Sequence, residues 1–99
     1  MLHNLKPHHL SISVPSMEEA STFWTEIFGF RLERCASIDA IPGKVAFLEK
    51  DGFRIELWEV EGSNPVPESR KGPDSDLRTN GTKHIAFQVP ESKGHWMNS

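Results

Sequence analysis

Two imidazoles and a carboxylate occupy comparable places in three extended stretches of this sequence: His9 in HHLSISVP, Glu56 in FRIELW and His84 in HIAFQVP. Polar and apolar residues alternate through each stretch, so each of these side chains lies on the face opposite the apolar one. Two neutral imidazoles and one carboxylate converging on the polar side of a sheet suit a borderline divalent ion such as zinc, nickel, manganese or iron. The single Cys35 offers no intrachain disulfide and no cysteine pair of zinc-site spacing, so a metal here rests on His, Asp and Glu. Taken singly, each residue reads as easily as a strand-end histidine or a surface glutamate. Their concurrence on three strands carries the metal reading. His8 stands in the opposite phase from His9, and a slip of one residue exchanges the two.

Arg54 and Trp58 flank Glu56 on the same face as candidate substrate-binding residues, the guanidinium for an anion and the indole for an apolar wall. The plainer alternative is a surface arginine and an interface tryptophan. Ser11 and Ser13 have no Asp-His pair arranged around them, which argues against hydrolase chemistry, and there is no glycine-rich phosphate loop.

The elements that must position these residues follow from periodicity. His8 to Val14 alternates as a strand, with Leu10, Ile12 and Val14 on the apolar side. Ser16 and Glu19 have the form of a capping box, and Met17, Ala20, Phe23, Trp24, Ile27 and Phe28 recur at helical spacing up to Gly29. Phe30 to Ile38 is extended, with Phe30, Leu32, Arg34, Ala36 and Ile38 in one phase; Ile41-Pro42-Gly43 reads as a turn and Val45 to Glu49 as a strand. Asp51-Gly52 is a hairpin signal leading to a strand from Phe53 to Val60, in which Phe53, Ile55 and Leu57 share one face. Residues 8–60 thus read β-α-β-β-β within a single domain spanning 1–99, with the helix on the apolar face and the ligands on the other. Residues 61–82, rich in Pro, Gly and charge, read as a long loop, and 83–90 as a further strand. Because HLSISVP and HIAFQVP are written alike, that strand is expected to open a second, incomplete copy of the module.

Ninety-nine residues, 36% hydrophobic and 25% charged, describe a globular protein. A chain this short buries only about 60 to 65% of its unfolded surface, so a partner or further segment helps it greatly. The net charge of -3 with scattered Lys and Arg excludes a phosphate-tracking face, hence no nucleic acid. No apolar run reaches the roughly 18 residues of a membrane span, so the expected location is cytoplasmic, with no membrane partner.

The segments HHLSISVP, FWTEIFGF, FRIELW and GTKHIAF, in that order, resemble the vicinal oxygen chelate superfamily, which includes glyoxalase I, bleomycin-resistance proteins, methylmalonyl-CoA epimerase and extradiol dioxygenases. The likeness covers residues 6–90, with Phe23-Trp24 where the family usually has Phe-Tyr. In that superfamily two βαβββ modules form a cupped sheet around one divalent metal, with ligands from the first and fourth strands of each module. The resemblance implies an α+β fold: a βαβββ module of glyoxalase type, one helix on a mixed curved sheet, and one strand of an incomplete second module. It implies His9 and Glu56 as first-module ligands and His84 as the second-module ligand, with Glu56 also the catalytic proton-shuttling base. The usual fourth ligand, a late Glu, has no counterpart before Ser99. A homodimer would supply His9 and Glu56 twice, giving one divalent ion per composite site, with His84 displaced to an edge strand.

The activity implied is a metal-dependent, glyoxalase-like lyase or isomerase acting on a small vicinal-dioxygen substrate through an enediolate. It would be lactoylglutathione-lyase-like if dimerisation or a further segment completes the site. The alternatives are a non-catalytic, dimeric small-molecule binding protein of bleomycin-resistance type, told apart by ligand binding that survives chelation, and an inactive truncated module. Extradiol dioxygenase comes behind these, because that class takes its metal triad from one complete module.

Overall fold

The computed structural model describes residues 2–90 and 96–98, which divide into two compact units, 1–64 and 65–99. The first unit has the order β1 (His9–Ser13), α1 (Met17–Thr22) running on into a π-helical turn (Phe23–Ile27), β2 (Arg31–Ile38), β3 (Gly43–Lys50) and β4 (Phe53–Val60). These strands form one mixed sheet in the order β1-β4-β3-β2, with β1 parallel to β4 and the other pairs antiparallel. This is the α+β, βαβββ architecture expected from the pattern.

Helix α1 starts where the sequence places it. Ser16 is extended, its hydroxyl accepts from the Glu19 amide at 3.2 Å, and the Met17 amide donates to Glu59 Oε1 at 2.6 Å, satisfying two of the free donors of the first turn. The second bond ties the helix start to β4, and Gly43 lets β3 approach the same place: a Cβ there would stand 2.3 Å from the Glu59 carbonyl oxygen. At the other end Gly29 has φ +73°, and the Phe30 amide reaches back to the Trp24 carbonyl at 3.0 Å. That span is one residue wider than the usual glycine-terminated helix end, in keeping with the π winding before it.

The core lies between this helix and one face of the sheet. Ala46, Leu48, Ile55 and Leu57 are fully buried, with Met17, Trp24 and Phe30 covering them. Complete burial of the Leu48, Ile55 and Leu57 side chains stabilises the fold by about 1.5–3 kcal/mol each. Trp24 is the keystone of an aromatic cluster, its ring 5.1 Å from Phe28 and 5.2 Å from Phe30.

Two local features depart from the regular pattern. The helical spacing puts Ile27 on the core stripe, but the π turn adds a residue to the winding and leaves Ile27 65% exposed. In β2 the single phase expected from Phe30 to Ile38 is broken by a β-bulge: Leu32 pairs with Leu48 and Arg34 with Phe47, so Glu33 is the extra residue. Leu32 then shares the helix side with Leu48, whereas Arg34 shares the open side with Phe47.

The second unit departs further from expectation. Within 61–82, expected as loop, the chain forms a 3-10 turn (Glu68–Arg70) and a short helix, α2 (Pro73–Arg78), with proline in its first turn, where a missing N–H costs nothing. The strand expected at 83–90 is shorter, β5 (Ala86–Gln88), and pairs antiparallel with β6 (Trp96–Asn98), which periodicity did not reveal.

Asp76 organises the α2 segment. It accepts from Arg70 Nε at 3.1 Å and Lys83 Nζ at 3.4 Å, and Lys83 also bonds the Asp76 and Thr79 carbonyls. Burial by itself would raise the Asp76 pKa, but the hydrogen bonds from Arg70 and Lys83 outweigh it and hold the carboxyl below its usual value of 3.8. A depressed folded-state pKa contributes stability that is present above the unfolded value and lost as pH falls through the folded one. Amide exchange in α2 is therefore expected to accelerate as pH falls below 3.8 relative to the Asp76→Asn variant, in which that acid step disappears. An identical acid response in the two proteins would refute this role.

Candidate functional site

The open face of the four-stranded sheet collects the polar partners of the core positions. Across β2-β3-β4-β1 the register aligns Arg34, Phe47, Glu56 and Ser11 in one row, and Ala36, Val45, Trp58 and Ser13 in the next. Ile55 and Leu57 on either side of Glu56 are buried against the helix, so strand alternation alone fixes the direction of the carboxylate.

His9 pairs with Arg54 in the β1–β4 register, one diagonal step from Glu56. Its Nε2 stands 3.6 Å from Glu56 Oε1. The Ser11 hydroxyl donates to the same carboxylate oxygen. Trp58, two residues along β4, shares this face with Glu56. Burial would raise the Glu56 pKa; the Ser11 hydrogen bond, the nearby Trp58 indole and the attraction of His9 outweigh it and hold the carboxyl below the ordinary glutamate range. The His9 ring is held edge-on to Phe47 at 5.4 Å, and its Nδ1 lies 2.8 Å from His8 Nδ1. Of the two adjacent histidines, His9 is the one beside Glu56.

The structure therefore brings His9, Glu56 and Trp58 together. Arg54 lies on the same face but is engaged by another carboxylate: its Nε and a terminal nitrogen form two parallel bonds, 2.9 and 3.1 Å, to Glu33. This pairing follows from the bulge, which turns Glu33 toward the open face. His84 lies in the second unit, exposed, two residues before β5. Among the described residues, no three or more His, Cys, Asp or Glu side chains are grouped to hold a metal ion. Sequence reasoning passed over three contributors. Ser11 reads from the sequence only as a weak nucleophile, although its alternation with His9 puts it on the same polar face. Phe47 and Glu33 depend on cross-strand register, for which a single sequence carries no local signal.

An open cleft of about 520 Å³ on this face is lined by His8, Glu33, Arg34, Phe47 and Arg54. No helix among the described residues is long and apolar enough to cross a membrane.

None of the curated proteins matches this chain. Among solved structures it is similar to a hypothetical protein from Bacillus halodurans C-125, at 26% identity and a TM-score of 0.50, over 73% of this chain and 47% of that one. The chain thus spans about half the length of that protein. The sequence profile of the Glyoxalase/Bleomycin resistance protein/Dioxygenase superfamily matches residues 6–93. With 88 of the 99 residues matched and the βαβββ sheet in place, this chain belongs to the Glyoxalase/Bleomycin resistance protein/Dioxygenase superfamily.

Proposed function

We propose that this chain forms a cytoplasmic, divalent-metal-dependent lyase or isomerase of glyoxalase type, with His9 and Glu56 as ligands and a small vicinal-dioxygen compound as substrate. The observation that carries the reading is the 3.6 Å separation of His9 Nε2 and Glu56 Oε1. It is long for a hydrogen bond, whereas two ligands bound to one ion at about 2.0–2.2 Å and a near-tetrahedral angle stand about 3.4 Å apart. The donor set is compatible with zinc, nickel, manganese or iron.

Two donors are half of a site. A second copy of the chain would supply His9 and Glu56 again, and His84 is the further candidate ligand, so the proposal includes a homodimer with one ion per composite site. A divalent ion held there would stabilise negative charge developing on adjacent substrate oxygens. Ser11 orients the carboxylate by donating to it, the role that outer-shell partners take around metal ligands. Glu56, kept ionised, is the group able to take up a proton from a substrate carbon.

Metal content by elemental analysis, together with mass in solution, tests this. After chelation and reconstitution with zinc or nickel, a dimer carrying about one ion per site is the expected result. A protein that retains no ion after reconstitution overturns it. Capture of an aromatic ligand by the chelated protein, supported by Phe47 and Trp58 on the same face, would instead favour the non-catalytic binding class.

A further inference from the structure

The β2 bulge has an electrostatic result. Consecutive residues of a regular strand face opposite ways, but the extra residue lets Glu33 and Arg34 both line the open cleft. Glu33 is engaged by the two parallel bonds from Arg54. That pair is neutral, and Arg54 has its donors directed at a carboxylate already present. Arg34 is different: among the described residues it makes no ion pair and no side-chain hydrogen bond. It stands beside Phe47 in register, with Glu56 next in the same row. Three adjacent strands place the Arg34 and Glu56 backbones roughly 10 Å apart, the length of a small organic molecule.

We infer that Arg34 is the anion-binding residue of this cleft, so that the molecule it takes carries a carboxylate or similar small anionic group over Phe47. The guanidinium is a planar fork with five donors, shaped for two parallel bonds to such a group. Phe47 supplies an apolar surface between the anion site and Glu56, and the cleft, at about 520 Å³, holds a ligand of that size. The inference deepens the proposed reading by naming the charge of the substrate, and its geometry stands without a metal.

The test uses chelated, metal-free protein and benzoate as the probe, with neutral benzamide as its isostere, followed by NMR titration. Benzoate is expected to shift the Phe47 ring and Arg34 Nε signals saturably, and benzamide to leave them in place. Arg34→Gln should weaken benzoate by at least about tenfold, as loss of a charge-assisted bidentate contact implies, with Arg34→Lys intermediate. Arg31→Gln removes the same charge from the same strand, but Arg31 pairs with Glu49 outside the cleft, so binding should stay within about twofold. Benzoate binding that is absent in the wild type, unchanged in Arg34→Gln, or equally reduced in Arg31→Gln overturns the inference. Because metal is excluded from the titration, a protein that binds benzoate through Arg34 yet takes up no ion refutes the lyase reading alone, and one that takes up an ion but not benzoate refutes this inference alone.

Discussion

Glu56→Gln is expected to lower zinc affinity by more than about 100-fold, since even the outer-shell partners of metal ligands are worth about 10–100-fold. The substitution removes the charge and one strong donor atom while keeping the shape. The amide oxygen can still accept from Ser11, so the thermal midpoint of the metal-free protein should hardly move. Ser11→Ala is the milder companion: it leaves the carboxylate but frees its orientation, with an expected loss of about tenfold. Competition with a chromophoric chelator reads both. Zinc binding by Glu56→Gln equal to that of the wild type would move the metal site away from β4 and take the proposed chemistry with it.

Trp24→Ala should be the most damaging single change to the fold. Trp24 is 3% exposed, and its indole contacts Phe28 and Phe30 over the buried face of the sheet. Truncating a buried tryptophan costs about 3–5 kcal/mol, which is about a fifth or more of the roughly 5–15 kcal/mol that holds a domain of this size. The thermal midpoint should fall by roughly 15–30 °C. Ile27→Ala gives the contrast. Uniform α-helical winding would bury Ile27 on the same stripe as Trp24, and truncation would then cost a few kcal/mol. The π turn leaves it 65% exposed, so the change should stay within about 0.5 kcal/mol. Denaturant melts of the two variants measure both figures, and comparable losses would contradict the π winding.

These contrasts locate what the sequence made legible. Alternation in β1 and β4, the Ser16 cap, the Gly29 stop and the Asp51-Gly52 hairpin are local signals, each with a mechanism that acts within a few residues. They were enough for the βαβββ order and for putting His9 and Glu56 on one face. The 3.6 Å approach of those two side chains is not local, because β1 meets β4 in parallel across a gap of some forty-five residues, and register there is set by the core rather than by a turn. The partner of Arg54 was hidden for a related reason. Strand periodicity assumes one residue per step, and a bulge breaks that assumption with no glycine to announce it. In the second unit, Pro73 at a helix start reads equally well as a loop proline until Arg70 and Lys83 are seen to pair with Asp76 in the same short helix.

The bulge also sets which change of chain length the sheet tolerates. Deleting a regularly paired residue beyond the bulge, such as Cys35, would shift every later side chain of β2 to the opposite face, sending Ala36 toward the helix and Ser37 toward the open side. Deleting Glu33 alone leaves Leu32 opposite Leu48 and Arg34 opposite Phe47, restores an unbroken ladder, and releases Arg54 from its carboxylate. Loss of one codon at this position would therefore preserve the fold while removing one carboxylate from beside Arg54 and Arg34 in the cleft. The charge of the cleft in this architecture is adjustable by an indel as well as by substitution.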